Sequence, residues 1–105
     1  MTGYAVLWRE GKGRIYAGKV ELGARDLTLE GSSHGRRHAL RTIPYKDLAG
    51  LSLTRAPEER IYGKLTLILE LHGGGAVEIT SVNGVGTVRD LEERIASLLP
   101  RIPVD

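Results

Sequence analysis

Apolar and polar residues alternate along most of the chain, which is the period of a β-strand with one buried face. The clearest run has leucine at every second position from 65 to 71, with polar residues and one isoleucine between. Gly73, Gly74 and Gly75 then turn the chain into the next alternating run, 77–79. Strands that are apolar on one side and joined by glycine turns are typical of antiparallel pairing. The pattern therefore predicts a mainly β protein built from antiparallel strands.

The alternating runs and the turns between them predict seven strands, near residues 4–9, 14–22, 26–31, 38–45, 48–56, 63–71 and 75–82. The fourth run contains Pro44. Proline has no N–H to donate to a strand ladder, so this strand is expected at an edge or a bend of the sheet.

After residue 84 the apolar spacing changes to that of a helix. Apolar residues now recur three or four positions apart: Val88, Leu91, Ile95, Leu98 and Leu99. Thr87 and Asp90 resemble a capping box with a shorter acid, and Pro100 stops the helix. The spacing predicts one amphipathic helix over 87–99, with Leu91, Ile95 and Leu98 turned toward the sheet.

Composition places the chain among ordinary globular proteins. It has 105 residues, 41% hydrophobic and 27% charged, with a formal charge of +2 and no cysteine. This length suits one domain, and the absence of cysteine excludes disulfides and thiolate zinc sites. The N-terminal residues lack the apolar run of a signal peptide, and no stretch reaches the roughly 20 apolar residues of a membrane helix. We therefore expect a cytoplasmic protein.

Three segments carry a resemblance to a known family: Tyr16–Leu22 (YAGKVEL), Leu27–Gly31 (LTLEG) and Ile43–Leu48 (IPYKDL). Together with the terminal leucine-rich hairpin and helix, they resemble the core of bacterial PH-like and GRAM-type domains. The resemblance implies a seven-stranded antiparallel pleckstrin-homology-like barrel closed by a C-terminal helix. It also implies that 1–105 is a single PH-like domain, with strands over about 4–82, the helix over about 87–99 and a short tail at 100–105.

One departure qualifies this resemblance. The helix of PH domains often carries a tryptophan, whereas no tryptophan follows Trp8 here. This favours PH-like or GRAM-type relatives over the eukaryotic lipid-binding type. A different small half-barrel with a terminal helix remains the structural alternative.

The chain shows no arrangement typical of an enzyme or a metal site. His34, His38 and Glu30 offer metal ligands, but two arginines lie between the histidines and would repel a cation. No serine or threonine lies in a strand-to-helix elbow such as G-x-S-x-G. Asp47 is interpreted as a turn residue after Pro44. We therefore expect no catalytic residue, no metal and no cofactor.

Basic residues concentrate in the first part of the chain, where residues 1–46 hold nine Lys or Arg against four Asp or Glu. If the strands run up and down in order, the connections that carry Lys12 with Arg14 and Arg36 with Arg37 lie at the same end. The resemblance implies that these are positions where PH domains gather phosphoinositide head groups, and Lys12-Gly13-Arg14 matches part of their lysine-x-arginine signature. The upstream lysine is missing, although Arg9 lies nearby. The third connection at that end is expected to bring Glu58 and Glu59, which would weaken the positive field.

Two functions follow from these observations. The first is a non-catalytic PH-like interaction module whose partner is a protein or a second copy of itself, bound through the open edges of the sheet. The second is a binder of anions or anionic lipid head groups at Lys12, Arg14, Arg36 and Arg37. Nucleic acid is disfavoured, because its binding usually pairs a basic face with exposed aromatic residues, and few of the five aromatics are expected outside the core.

Overall fold

A computed structural model of the protein describes residues 2–33, 37–54, 56 and 60–99. Seven strands and one helix follow in this order: β1 (Thr2–Glu10), β2 (Tyr16–Leu22), β3 (Asp26–Ser33), β4 (Arg37–Pro44), β5 (Leu48–Thr54), β6 (Thr66–Leu71), β7 (Ala76–Ser81) and α1 (Val85–Leu98). Single 3-10 turns lie at Tyr45–Asp47 and Ile61–Gly63. The predicted strands are confirmed with shifts at their ends. The largest shift is in β6, which begins at Thr66 because the Ile61–Gly63 turn occupies the start of the predicted run.

The seven strands form one antiparallel sheet in the order β4-β3-β2-β1-β7-β6-β5. β1 joins the two halves of this sheet, since it pairs with β2 over residues 2–8 and with β7 over residues 6–10. β4 and β5 are the terminal strands and do not pair with each other within the described residues. The barrel that we expected to be closed is therefore an open half-barrel. The expected edge position of the strand that contains Pro44 is confirmed.

β2 and β3 approach each other very closely at a crossing point formed by two glycines. Gly18 lies opposite Gly31 in the register. A Cβ on Gly18 would lie 2.0 Å from the carbonyl oxygen of Glu30 and 2.5 Å from the Cα of Gly31. On the core side of this crossing, the indole Nε1 of Trp8 donates a 3.1 Å hydrogen bond to the same Glu30 carbonyl. Only residues without side chains permit this approach of the two strands.

The concave face of the sheet and one side of α1 enclose a single apolar core. Its members come from every strand and from the helix: Val6, Trp8, Val20, Leu22, Leu27, Leu29, Ile43, Tyr45, Leu48, Leu67, Leu69, Val77, Ile79, Val88, Leu91 and Ile95. Burial of this much apolar surface is the main favourable contribution to folding.

The helix begins earlier than predicted and without the expected cap. α1 starts at Val85 after Gly84, with no side-chain hydrogen bond at its first turn. The capping-box prediction was wrong, because Thr87 lies inside the helix and Asp90 is engaged elsewhere. The carboxylate of Asp90 accepts hydrogen bonds from Tyr4 of β1 at 2.7 Å and from Arg94 at 3.3 Å.

The buried side of the helix also differs from the prediction by one residue. Leu91 and Ile95 lie in the core as expected, but Leu98 is 38% exposed, and Val88 takes the third buried position. Val88, Leu91 and Ile95 are spaced by three and four residues, which keeps them on one stripe of the helix. At 14 residues, α1 is too short to cross a membrane, and no other helix occurs in the described part of the chain.

Candidate functional site

The β1–β2 turn presents Lys12 and Arg14 to solvent. Gly11 adopts a left-handed conformation with φ of 57°, which favours glycine. The amide of Gly13 donates to the carbonyl of Glu10 at 3.0 Å and closes the turn. Both basic side chains are exposed. The turn therefore places two cations two residues apart at one end of the sheet.

The β1–β2 turn has a further neighbour besides those that simple alternation predicts. β1 and β7 run antiparallel, and the amide of Gly11 donates to the carbonyl of Ala76 at 2.8 Å. The β6–β7 turn at residues 72–75 is thus the direct neighbour of the β1–β2 turn. Glu58 and Glu59, which we expected at this end, lie outside the described residues.

The four predicted anion-binding residues are only partly brought together. Lys12 and Arg14 line one cavity of about 680 Å³, to which Ser33 at the end of β3 also contributes. Arg37 lies directly opposite Ser33 in the register and is exposed, but it is not among the residues that line this cavity. Arg36 lies outside the described residues.

Two further cations of the basic region are held by carboxylates. Arg9, which we considered as a substitute for the missing lysine, pairs with Glu78 at 2.8 Å, and both side chains are nearly buried. Arg41 of β4 pairs with Glu10 of β1 at 2.8 Å. Neither guanidinium is available as an unpaired anion ligand. The sequence could not show this, because each pair joins residues far apart in the chain.

Sequence reasoning did not identify Tyr62, which lines the same cavity as Lys12 and Arg14. Its side chain is 71% exposed. Its backbone is left-handed, with φ of 51° and ψ of 37°, and it is the only residue other than glycine with a positive φ among those described. Leu7 and Ile15 form apolar parts of the cavity wall. The only sequence signal was the Tyr62-Gly63 pair, which is a weak turn signal.

A second exposed feature lies on the edge strand β4. Leu40 is 71% exposed at the end of the sheet. Together with Ala39, it borders a cavity of about 470 Å³ whose other wall includes Gly18 and Gly31. This cavity forms a recess in the surface beside Leu40. An unpaired strand edge and an apolar recess therefore lie together.

Among the described residues, no three histidine, aspartate or glutamate side chains are close enough to hold a metal ion. His38, Asp47 and His72 are each exposed. The buried carboxylate of Glu78 is held by Arg9. His34 lies outside the described residues.

Comparisons with protein families and with curated proteins give no match. Solved structures do resemble the chain. The pleckstrin homology domain of ArhGAP27 aligns with a TM-score of 0.68 and 17% identity over 95% of this chain and all of that domain. The C-terminal domain of an unknown protein from Leishmania infantum aligns with a TM-score of 0.65 and 11% identity over 91% of this chain and 83% of that chain. At such low identity these likenesses concern the fold alone, and they show that this chain has the pleckstrin-homology-like fold: a curled seven-stranded antiparallel sheet with a C-terminal helix.

Proposed function

We propose that the protein is a non-catalytic interaction module that binds an extended segment of a partner protein along the free edge of β4. The observation that carries this proposal is the exposure of Leu40 at 71% on a terminal strand. A terminal strand presents unpaired N–H and C=O groups, and an added strand satisfies them. The cytoplasmic location expected from the cysteine-free sequence remains a prediction.

The groove beside β4 indicates what kind of segment fits. Successive residues of an added strand point to opposite sides, so every second side chain would face the recess beside Leu40. The recess is bordered by Leu40 and Ala39 and by the glycines of β2 and β3, which suits an apolar side chain. We therefore expect apolar residues at alternate positions of the partner segment.

Charge favours a foreign partner over a second copy. The described residues of β4 include Arg37 and Arg41 and no acid. Antiparallel pairing of two β4 strands would bring these cations together, and like charges on paired strands are destabilising. Acidic residues in a partner strand would instead be attracted to Arg37, which has no ion pair among the described residues. The best-fitting partner is an extended segment that alternates apolar and acidic residues.

Selection of displayed random peptides on the immobilised chain tests this proposal. Enriched peptides are expected to alternate apolar and acidic residues, and Leu40→Glu is expected to reduce their affinity at least tenfold. Ser52→Glu, an exposed position on the other terminal strand, is the matched control and should leave the affinity unchanged. Peptides that bind Leu40→Glu as tightly as the wild type would refute the site. A two-chain molar mass in light scattering that Leu40→Glu returns to one chain would identify a second copy as the occupant instead.

A second candidate function is anion binding at the β1–β2 turn. Lys12 and Arg14 are both exposed on this turn and line one cavity, and Arg14 has no ion pair among the described residues. Arginine offers a planar fork that donates two parallel hydrogen bonds to phosphate. This site is separate from the β4 edge, so either function can be tested without the other.

A further inference from the structure

Tyr62 lines the same cavity as the two cations of the β1–β2 turn, and it lies in a turn that ordinarily favours other residues. The amide of Lys64 donates to the carbonyl of Ile61 at 3.0 Å, and both central residues, Tyr62 and Gly63, are left-handed. This is the geometry of a type I′ turn, where glycine, asparagine or aspartate is preferred at the first central position. A tyrosine there is strained, and strained residues concentrate at functional sites.

The position of Tyr62 is not explained by burial. Its side chain is 71% exposed, whereas the preceding Ile61 is fully buried and anchors the turn. The exposed side chain lines a cavity that Lys12 and Arg14 also line. An aromatic ring and two cations that line one cavity together offer stacking to a planar ring and charge-assisted hydrogen bonds to an anion.

We infer that this cavity binds a mononucleotide-like ligand, with its planar ring stacked on Tyr62 and its phosphate held by Lys12 and Arg14. The inference rests on the second candidate function, anion binding at the β1–β2 turn, and adds the class of ligand. The volume of about 680 Å³ lies within the range of about 300–1,000 Å³ usual for small-molecule sites. Ser32 and Ser33 also line the cavity and offer hydroxyl groups to a ribose or a phosphate.

The number of stacking surfaces favours one nucleotide over a nucleic-acid strand. Proteins that bind single strands stack successive bases on several aromatic side chains. Among the described residues, Tyr62 is the only aromatic residue whose side chain is mostly exposed to solvent. One ring and two cations match one base and its phosphate.

Titration of the full chain with adenosine monophosphate, adenosine and inorganic phosphate, followed by calorimetry and amide NMR shifts, tests the inference. We expect the nucleotide to bind at least tenfold more tightly than either fragment, with shifts at the β1–β2 turn and at residues 60–64. Arg14→Gln should weaken the nucleotide at least fivefold. Arg25→Gln removes an exposed cation from the β2–β3 turn at the other end of β2, and should have no effect.

The decisive variant is Tyr62→Asn, because asparagine suits the left-handed position that strains tyrosine. We expect this variant to unfold at a higher temperature than the wild type and to bind the nucleotide no better than inorganic phosphate.

A lower unfolding temperature with unchanged nucleotide affinity would mean that Tyr62 serves the fold, and would overturn the inference. If phosphate and nucleotide bind equally well, the anion site stands and the nucleotide inference fails. If neither phosphate nor nucleotide binds, anion binding and the nucleotide inference both fail at this cavity. Binding to anionic vesicles without nucleotide binding would also overturn the inference.

Discussion

The guanidinium of Arg9 donates two hydrogen bonds to the Oε1 atom of Glu78, from Nε at 3.2 Å and from Nη2 at 2.8 Å. The two residues lie directly opposite each other on β1 and β7. Their side chains are only 13% and 6% exposed. This pair therefore links the two halves of the sheet where β1 pairs with β7. Both charged groups are largely shielded from water.

Removing one partner of this pair should be costly. Loss of one charge from a buried pair typically destabilises a protein by about 3–5 kcal/mol, because the other charge remains buried without compensation. We expect Glu78→Ala to lower the free energy of unfolding by about that amount, measured by urea denaturation. Arg41→Ala is the matched control, because the Arg41–Glu10 pair is about half exposed and such pairs contribute about 0–1 kcal/mol.

The double variant Arg9→Met/Glu78→Leu separates charge burial from packing. It removes both charges and keeps side-chain volume, so it should recover most of the stability that Glu78→Ala loses. If Glu78→Ala loses no more free energy of unfolding than Arg41→Ala, the Arg9–Glu78 pair is not effectively buried.

The crossing of Gly18 and Gly31 leads to a second prediction. A methyl group at Gly18 would meet the backbone of β3 at 2.0–2.7 Å, and the backbone there cannot move aside as a flexible side chain could. Overpacking costs about 1–3 kcal/mol in ordinary cores and more where backbone must shift. We expect Gly18→Ala to lose about 3 kcal/mol or more in thermal or urea unfolding. Gly3→Ala in β1 is the control, since its Cβ would find its nearest atoms at 3.7 Å. Equal stability of the two variants would contradict the close approach.

The fold was predictable because its signals are local. Alternation over 65–71 and 77–79 reflects burial of one face of β6 and β7, and both strands appear as expected. The change of period after residue 84 correctly predicted the helix. The capping prediction at Thr87 failed because a local pattern cannot show that Asp90 accepts a hydrogen bond from Tyr4, a residue 86 positions away.

The candidate site was less predictable because it depends on distant residues. Lys12 and Arg14 were identified from the charge distribution and from the resemblance to PH domains, and the structure does place them in one cavity. Tyr62 lines this cavity because it lies in the β5–β6 connection, which strand alternation predicts at this end, but the alternation does not show which residue of that connection reaches the cavity. Likewise, the engagement of Arg9 by Glu78 depends on the register of β1 with β7.

A third prediction concerns stability at alkaline pH. Burial, followed by the hydrogen bond donated to Asp90, raises the pKa of Tyr4 from 10.0 to about 12. A group whose pKa is higher in the folded state stabilises that state while protonated. The contribution of Tyr4 is therefore complete below pH 10 and is lost as the pH rises from 10 toward 12.

Comparison of the wild type with Tyr4→Phe measures this effect. The free energy of unfolding of the wild type should fall more steeply than that of Tyr4→Phe between pH 10 and 12. Tyr45, whose pKa is also raised by burial, contributes equally to both proteins and cancels in the comparison. Parallel pH profiles would show that the Tyr4–Asp90 contact does not persist in solution.

The last prediction tests whether a lipid surface is the ligand at the end of the sheet that carries Lys12 and Arg14. If the end formed by the turns at 10–14 and 31–37 binds anionic head groups, the chain should sediment with anionic liposomes and not with neutral ones. Exposed charges are screened over about 8–10 Å at ordinary salt, so the bound fraction should fall steeply as salt rises. Arg36→Glu/Arg37→Glu should abolish sedimentation, because it reverses two charges on the β3–β4 side of that end.

The control for this experiment is Arg25→Glu/Lys46→Glu, which makes the same change in net charge at exposed residues outside the two turns. Asp26 pairs with Pro44 in the register, and the amide of Tyr45 donates to the carbonyl of Arg25, so these two exposed cations lie near each other. A general attraction of a positive protein to a negative surface would fall equally in both variants, whereas a specific site responds only to the first. Equal sedimentation of all three proteins would remove lipid binding at this end, and the protein partner at β4 would then stand as the function to pursue.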